Sequence, residues 1–179
     1  MPKIEEKIAI EFVAVDKRFG AVHANANVNL KIQSGHIHGI VGENGAGKST
    51  LMNILYGFYE ADSGDVLING KKVKITTSQD AIALGVGMVH QHFMLVDNFT
   101  VLENILLGHE GGWLLRKGKQ IAINKLQDIN TRFNLSVDFT ALTSALSVGQ
   151  QQRVEIIKAL YRGADVLILD EPTAVLTPQ

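Results

Sequence analysis

The sequence predicts an α/β fold: a core of buried strands, an antiparallel β-subdomain and a helical insertion. Three observations carry this prediction. Strand-like and helix-like apolar periods interleave along the chain. A glycine-rich turn ending in Lys48-Ser49 stands between a strand candidate and a helix candidate. A continuous apolar run, Val166–Leu169, ends in two acids, Asp170 and Glu171.

The elements follow in chain order. Residues 8–15 (IAIEFVAV) put Ile8, Ile10 and Phe12 on one face, the period of a half-buried strand. Val28, Leu30 and Ile32 alternate in the same way. His36–Val41 is a short strand candidate that runs into the glycine-rich turn, and Lys48 to about Gly57 reads as a helix. In residues 65–75, Asn69-Gly70 sits between apolar runs; both centre residues of a type I′ turn need positive φ, so this dipeptide predicts a hairpin. Val86–Val89 and Val166–Leu169 are unbroken apolar runs, as parallel strands buried on both faces require. Thr100 and Glu103 form a capping box that opens a short helix. Ala122, Leu126, Ile129 and Phe133 recur on one face of a second helix. Val154, Ile157, Leu160 and Tyr161 do the same for a third.

Composition narrows the function classes. The 179 residues are 46% hydrophobic and 20% charged, which is too apolar for a disordered chain and enough for one domain with a core. Seventeen basic against 18 acidic residues give a net charge of −1, which argues against a dedicated nucleic-acid binder. With no cysteine, disulfides and thiolate metal sites are excluded. No stretch approaches the roughly 18–20 apolar residues of a bilayer span. The opening MPKIEEKIAIEF carries charges where a signal peptide has its apolar stretch. A soluble chain is expected, reaching any membrane through a partner.

The turn Gly42-Glu43-Asn44-Gly45-Ala46-Gly47-Lys48-Ser49 matches the phosphate-loop pattern, and Thr50 follows it. Glycines let the backbone curl until successive N–H groups point at phosphate oxygens, and the helix that starts here adds its positive end. Lys48 reaches the β- and γ-phosphates, and the Ser49 hydroxyl suits Mg²⁺. The acids at the end of Val166–Leu169 belong where open α/β sheets bind ligands. Asp170 is the candidate Mg²⁺ partner through water, and Glu171 the group that polarises an attacking water. Together these predict a P-loop NTPase core. His90 and His92 share one side of a strand, as do His36 and His38; no third ligand stands at useful spacing, so all four read as strand residues.

Between loop and acids lies Leu146-Ser147-Val148-Gly149-Gln150-Gln151-Gln152-Arg153. It resembles the LSGGQ signature of the ABC ATPases. With the phosphate loop before it and LILDEPT after it, the chain looks like a nucleotide-binding domain of an ABC transporter. Glu171 to Gln179 and the segment Met88–Glu110 resemble the sugar and nucleoside importer branch. The resemblance implies one incomplete ATPase domain over 1–179, with a catalytic core of about 1–91 and 162–179 and a helical subdomain of about 92–161. It implies Gln91 as the Q-loop residue that meets the metal and the reaction, and Phe19 as an aromatic that stacks on adenine. Read from its residues alone, Phe19 fits core packing as well as a base platform. Ser147 can cap a helix whose free N–H groups meet an anion. In the family this end, with Gly149 and Gln150, faces the γ-phosphate held by the opposite subunit. The implied cofactors are ATP and Mg²⁺. The implied partners are transmembrane permease subunits, a second ATPase domain in a head-to-tail pair and, indirectly, a solute-binding protein. The implied location is the cytoplasmic, inner face of the cell membrane, with no nucleic acid involved.

Two departures stand out. Val148 replaces the usual first glycine of the signature, and Thr177 stands where the family has an aspartate. The family also has a further strand and a switch histidine beyond the region of Gln179, and none of the six histidines lies after residue 109. The chain is therefore expected to be an N-terminal part of a longer protein with two such domains in tandem. Alone it is expected to bind ATP through Gly42–Thr50 with negligible turnover. Two other functions stay open at this stage. One is a non-transport ABC-type ATPase, disfavoured by the lack of long heptads and of basic excess. The other is a low-turnover regulatory nucleotide-binding module, suggested by Val148 and Thr177.

Overall fold

The computed structural model describes residues 7–90, 93–108 and 115–172. The chain divides into two compact units, with the boundary between Val86 and Gly87. Among the described residues no helix is long and apolar enough to cross a membrane.

The first unit is built on a four-stranded antiparallel sheet in the order β2-β1-β3-β4. Its strands are β1 (Ile8–Phe19), β2 (Val22–Gln33), β3 (Ser63–Ile68) and β4 (Lys71–Val73). Ile10 and Phe12 are buried, as their alternation predicts. The alternation then breaks. A register shift between Phe12 and Val15, with Ala14 at φ 50°, swings Val15 into the core. The Asn29 side chain accepts from the Ala14 amide at 2.9 Å, so the bulged backbone keeps a partner. The expected hairpin closes between Ile68 and Lys71, with Asn69 at φ 51° and Gly70 at φ 75°. Both lie in the left-handed region that a type I′ turn demands.

Helix α1 (Lys48–Tyr56) buries Leu51, Ile54, Leu55 and Tyr56. It ends at Gly57, whose amide bonds Ile54 O while the Phe58 amide bonds Asn53 O, the paired bonds of a left-handed helix stop. Helix α2 (Ser78–Ala83) opens on a capping box between Thr77 and Asp80. Amide and hydroxyl donors from Thr76 and Thr77 hold the Asp80 carboxyl below the usual carboxylate range.

One expected strand is absent. His36–Val41 forms no regular element, and Ile37 and Val41 are almost fully exposed. A short apolar run becomes a strand only when neighbours supply its hydrogen bonds. No strand among the described residues pairs with this one. His36 and His38 are accordingly coil residues: His36 Nδ1 lies 3.0 Å from Ser34 O, and the Gln33 amide donates to His38 Nε2 at 3.2 Å.

The second unit joins strands and helices. Strand β5 (Val86–Val89) is buried at every position and neighbours β6 (Val166–Leu169) in a two-stranded sheet. Gly87 lets this strand approach closely, since a Cβ there would stand 2.8 Å from Ala164 Cβ. β6 is less buried than its composition predicts, with Leu169 43% exposed, because it has a neighbour on one edge only among the described residues. Helices α3 (Val101–Leu106), α4 (Leu115–Arg132) and α5 (Val148–Tyr161) enclose one apolar cluster: Val101, Ile105, Leu126, Ile129, Val154 and Ile157. Leu160 and Tyr161 pack against it, as their spacing predicts. The Thr100–Glu103 capping box forms: the Thr100 amide donates to Glu103 Oε2 at 2.8 Å, and the Glu103 amide donates to Thr100 Oγ1. The buried Asn104 side chain is fully used, bonding Val96 N and O and Thr143 Oγ1. The expected face of α4 holds at Ala122, Leu126 and Ile129 but fails at Phe133. The helix stops at Arg132, Asn134 takes φ 51°, and Phe133 turns outward, nearly half exposed.

This packing sets a contrast. Leu126→Ala should cost about 2–5 kcal/mol in urea denaturation, whereas Phe133→Ala should change stability by no more than about 0.5 kcal/mol. Equal effects would show that the cluster is not the core of this unit.

Candidate functional site

The phosphate-loop residues lie in the first unit, between β2 and the start of α1. Gly42, Glu43, Asn44, Gly45 and Ala46 are exposed, and Gly47 and Lys48 are half-buried. The loop turns on two left-handed glycines, Gly45 at φ 84° and Gly47 at φ 83°. Gly47 has a second constraint: a Cβ there would stand 2.1 Å from Ala24 O. Both the backbone angle and the space therefore demand glycine. Its carbonyl accepts from the Leu51 amide at 3.0 Å and from Asn25 Nδ2 at 3.1 Å. The first bond starts α1; the second ties loop to β2. Lys48 curls back over the loop, its ammonium donating to Gly42 O at 2.7 Å and Glu43 O at 2.8 Å. The charge is thus held against two carbonyls of its own loop. Ser49 and Thr50 occupy the first turn of α1.

Asn25 was not among the residues that motif spacing singles out. It is buried in β2, and its Oδ1 has no hydrogen-bond partner among the described residues. No signal in the sequence marks it: the alternation of Val28, Leu30 and Ile32 marks even positions, and a register shift at Asn27, φ 48°, is what turns Asn25 inward.

Phe19 ends β1 with its ring partly in solvent. It pairs with Val22 across the hairpin tip. Two residues earlier Lys17 pairs in register with Asn25, the side chain that holds Gly47. The aromatic ring and the phosphate loop are therefore joined through one hairpin. Asp62 accepts from Lys17 Nζ at 2.8 Å and from the Arg18 amide at 2.6 Å. The Lys17 ammonium, then the Arg18 amide, hold the Asp62 carboxyl below its ordinary range.

In the second unit, Ser147 is the N-cap of α5, as expected. Gln150 Oε1 accepts from the Ser147 amide at 2.8 Å and its hydroxyl at 2.9 Å. Gly149 lies in the first turn, and Val148 is exposed beside it. The acids follow β6. The Asp170 amide continues the ladder by donating to Val89 O at 3.1 Å. Glu171 takes φ 46°, a strained angle for a side chain of this type, and is exposed. Its turn is tied to α5, because Gln152 Nε2 donates to Pro172 O at 3.0 Å. Gln152 thus joins the signature segment to the acidic turn, a link that spacing along the chain does not reveal.

Gln91 and His92 lie outside the described residues, as do Thr177 and the rest of 173–179. The backbone on either side of Gln91 is described. Burial pushes the His90 imidazole below its ordinary range, against the pull of Glu155 and Asp170. Glu155, buried on α5, accepts from the Met94 amide at 3.0 Å and lies 3.4 Å from Lys158 Nζ.

Comparison with known proteins places the chain in a family. The guanosine import ATP-binding protein NupO of Bacillus subtilis is 53% identical over 94% of this chain. The nucleoside import ATP-binding protein NupA of Lactococcus lactis is 56% identical over 94%. The chain spans 33% of the length of each of these relatives. Among solved structures, cbiO1 of Clostridium perfringens superposes with a TM-score of 0.81 at 27% identity, covering 97% of this chain and 69% of its own. An ATP-binding cassette of an ABC transporter in its ADP conformation gives 0.82 at 28%, covering 96% and 71%. Residues 25–174 match the ABC transporter family model, from Asn25 through the phosphate loop, the signature helix and the acidic strand end, and the chain belongs to that family as a P-loop ATP-binding domain.

Proposed function

We propose that this chain is the part of a membrane importer for nucleosides or sugars that binds and hydrolyses ATP. The observation that carries the proposal is the loop at Gly47, locked left-handed beneath Ala24 O and followed by Lys48 at the start of α1. Such a turn aims backbone amides and a helix terminus at an anion. The import proteins NupO and NupA support the importer assignment, and their names support a nucleoside before a sugar.

In this reading the amides of Gly42 to Thr50 receive the phosphates. Lys48 releases its two carbonyls to meet the β- and γ-phosphates. Phe19 stacks on the base. Ser49, Gln91 and Asp170 offer only oxygen donors, a hydroxyl, an amide and a carboxylate, which suits Mg²⁺ rather than a softer ion. Mg²⁺ bound there would neutralise charge on the phosphate oxygens. Glu171 accepts the proton of the attacking water, and its strained, exposed backbone fits a residue presented to a reactant. Ser147, Gly149 and Gln150 present the N-terminal turn of α5 to the γ-phosphate held by a second ATPase domain in a head-to-tail pair. Closure of that pair drives permease subunits in the membrane, which a solute-binding protein supplies from the other side. The domain works at the inner face of the membrane, attached through the permease.

Removing the Lys48 ammonium deletes a charge-assisted contact of about 1.5–3 kcal/mol, so Lys48→Ala should weaken ATP binding about 10- to 150-fold by titration calorimetry. Retained affinity would refute the assigned role. Gly47→Ala should abolish binding outright, since the added methyl meets backbone that has nowhere to move. In the longer protein, with permease-containing membranes, Glu171→Gln should lower phosphate release about 10²–10⁴-fold while ATP binding persists. Equal rates for the two proteins would favour a regulatory module, and indifference to every permease would remove the importer assignment.

A further inference from the structure

The Phe19 ring sits at the tip of the β1–β2 hairpin, beside Gly20 at φ 56°. A stacking surface works best when its orientation is set before the base arrives. The side chain that sets it comes from elsewhere in the chain. Tyr59 lies 5.1 Å from Phe19, centroid to centroid, with the rings crossed at 72°. This is the edge-to-face geometry that aromatic quadrupoles favour. Phe19 is 42% exposed and Tyr59 40%, so the pair keeps open surface and is not a buried core contact.

The Tyr59 segment is itself anchored at both ends. Its amide bonds Asn53 O at the C-terminal stop of α1, 3.3 Å away. Three residues on, the Asp62 amide bonds Asp16 O at 2.9 Å. The Asp62 carboxylate grips Lys17 and the Arg18 amide, and Lys17 Nζ stands 5.5 Å from the Phe19 centroid. Phe19 is thus fixed through its own strand, through a cation and through a second ring. That second ring lies three residues beyond the end of α1, the helix whose other end is the phosphate loop, and its amide is bonded to that helix's last turn. A displacement of α1 would therefore be felt at both ends of a bound nucleotide.

We propose that Tyr59 is a positioning residue for base recognition: crossed against Phe19, it fixes that ring to receive the base while the loop at Gly47 takes the phosphates. The inference rests on the reading of Phe19 as the base platform. Tyr59 acts through Phe19, so it governs affinity for the base and leaves affinity for the phosphates untouched.

Titration of the full chain with ATP and with inorganic tripolyphosphate, which has no base, tests this. Tyr59→Leu and Tyr59→Ala should weaken ATP about three- to tenfold and leave tripolyphosphate unchanged. Tyr59→Phe, which keeps the ring, should match the wild type. The double variant Phe19→Ala, Tyr59→Ala should bind ATP no more weakly than Phe19→Ala alone. ATP affinity unchanged in both Tyr59 variants, with Phe19→Ala weakened, overturns the role of Tyr59 and leaves the base platform standing. Equal weakening of both ligands in Tyr59→Leu overturns it too, as a loss of structure. Unchanged ATP affinity in Phe19→Ala removes the platform and the proposal with it.

Discussion

The contact between Gly47 and β2 is the constraint on which the first unit's chemistry depends. The Gly47 peptide lies against Ala24 O so closely that no side chain fits, and its carbonyl is shared between Leu51 N and Asn25 Nδ2. One peptide therefore ends the loop, starts α1 and fastens both to the sheet. A left-handed backbone angle at that point is what lets the chain reverse and begin a helix within a single residue. The positive end of α1 and the Lys48 ammonium then belong to one turn of chain, and an anion is the complementary ligand.

The rest of the first unit serves to hold that peptide still. The bulge at Ala14 keeps Val15 in the core after the alternation has slipped, which preserves the burial of β1 up to the Lys17–Asn25 register pair. The glycine stop at Gly57 turns the chain back so that the segment after α1 meets the end of β1. A sheet, a helix and two turns are in this way closed into one body by backbone geometry at a few positions. Polar contacts such as Asp62 with Lys17 are exposed and add little stability of their own. Their effect is directional.

The second unit solves a different problem. It must carry polar groups inside a helical cluster without leaving them unpaired. Asn104 and Thr143 do so by bonding one another and four backbone groups. Glu155 does so with Met94 N and Lys158. The bonds from Asn104 to Val96 and from Glu155 to Met94 each join a loop to a helix, so the polar interior ties the segment before α3 to both α3 and α5. Gln152 extends the same device to the turn that presents Glu171.

Features set by neighbouring residues were legible in the sequence. Asn69-Gly70 specified its turn, Thr100 and Glu103 their cap, Gly47 to Gly57 the limits of α1, and Leu126 and Ile129 a buried face, because each depends on angles and spacings within a few residues. The phosphate-loop pattern was legible for the same reason. Tertiary partners decided the remainder. His36–Val41 has the composition of a strand and lacks a paired neighbour among the described residues, so it stays coil. Phe133 continues an apolar period that the helix stop at Asn134 cuts off. Asn25 finds Gly47, and Tyr59 finds Phe19, across 22 residues in the first case and across β2, the phosphate loop and α1 in the second. A chain written in one dimension fixes its local angles. Which distant side chains share a hydrogen bond or a ring contact is settled only when sheet and helix pack, because those energies exist only at contact distance.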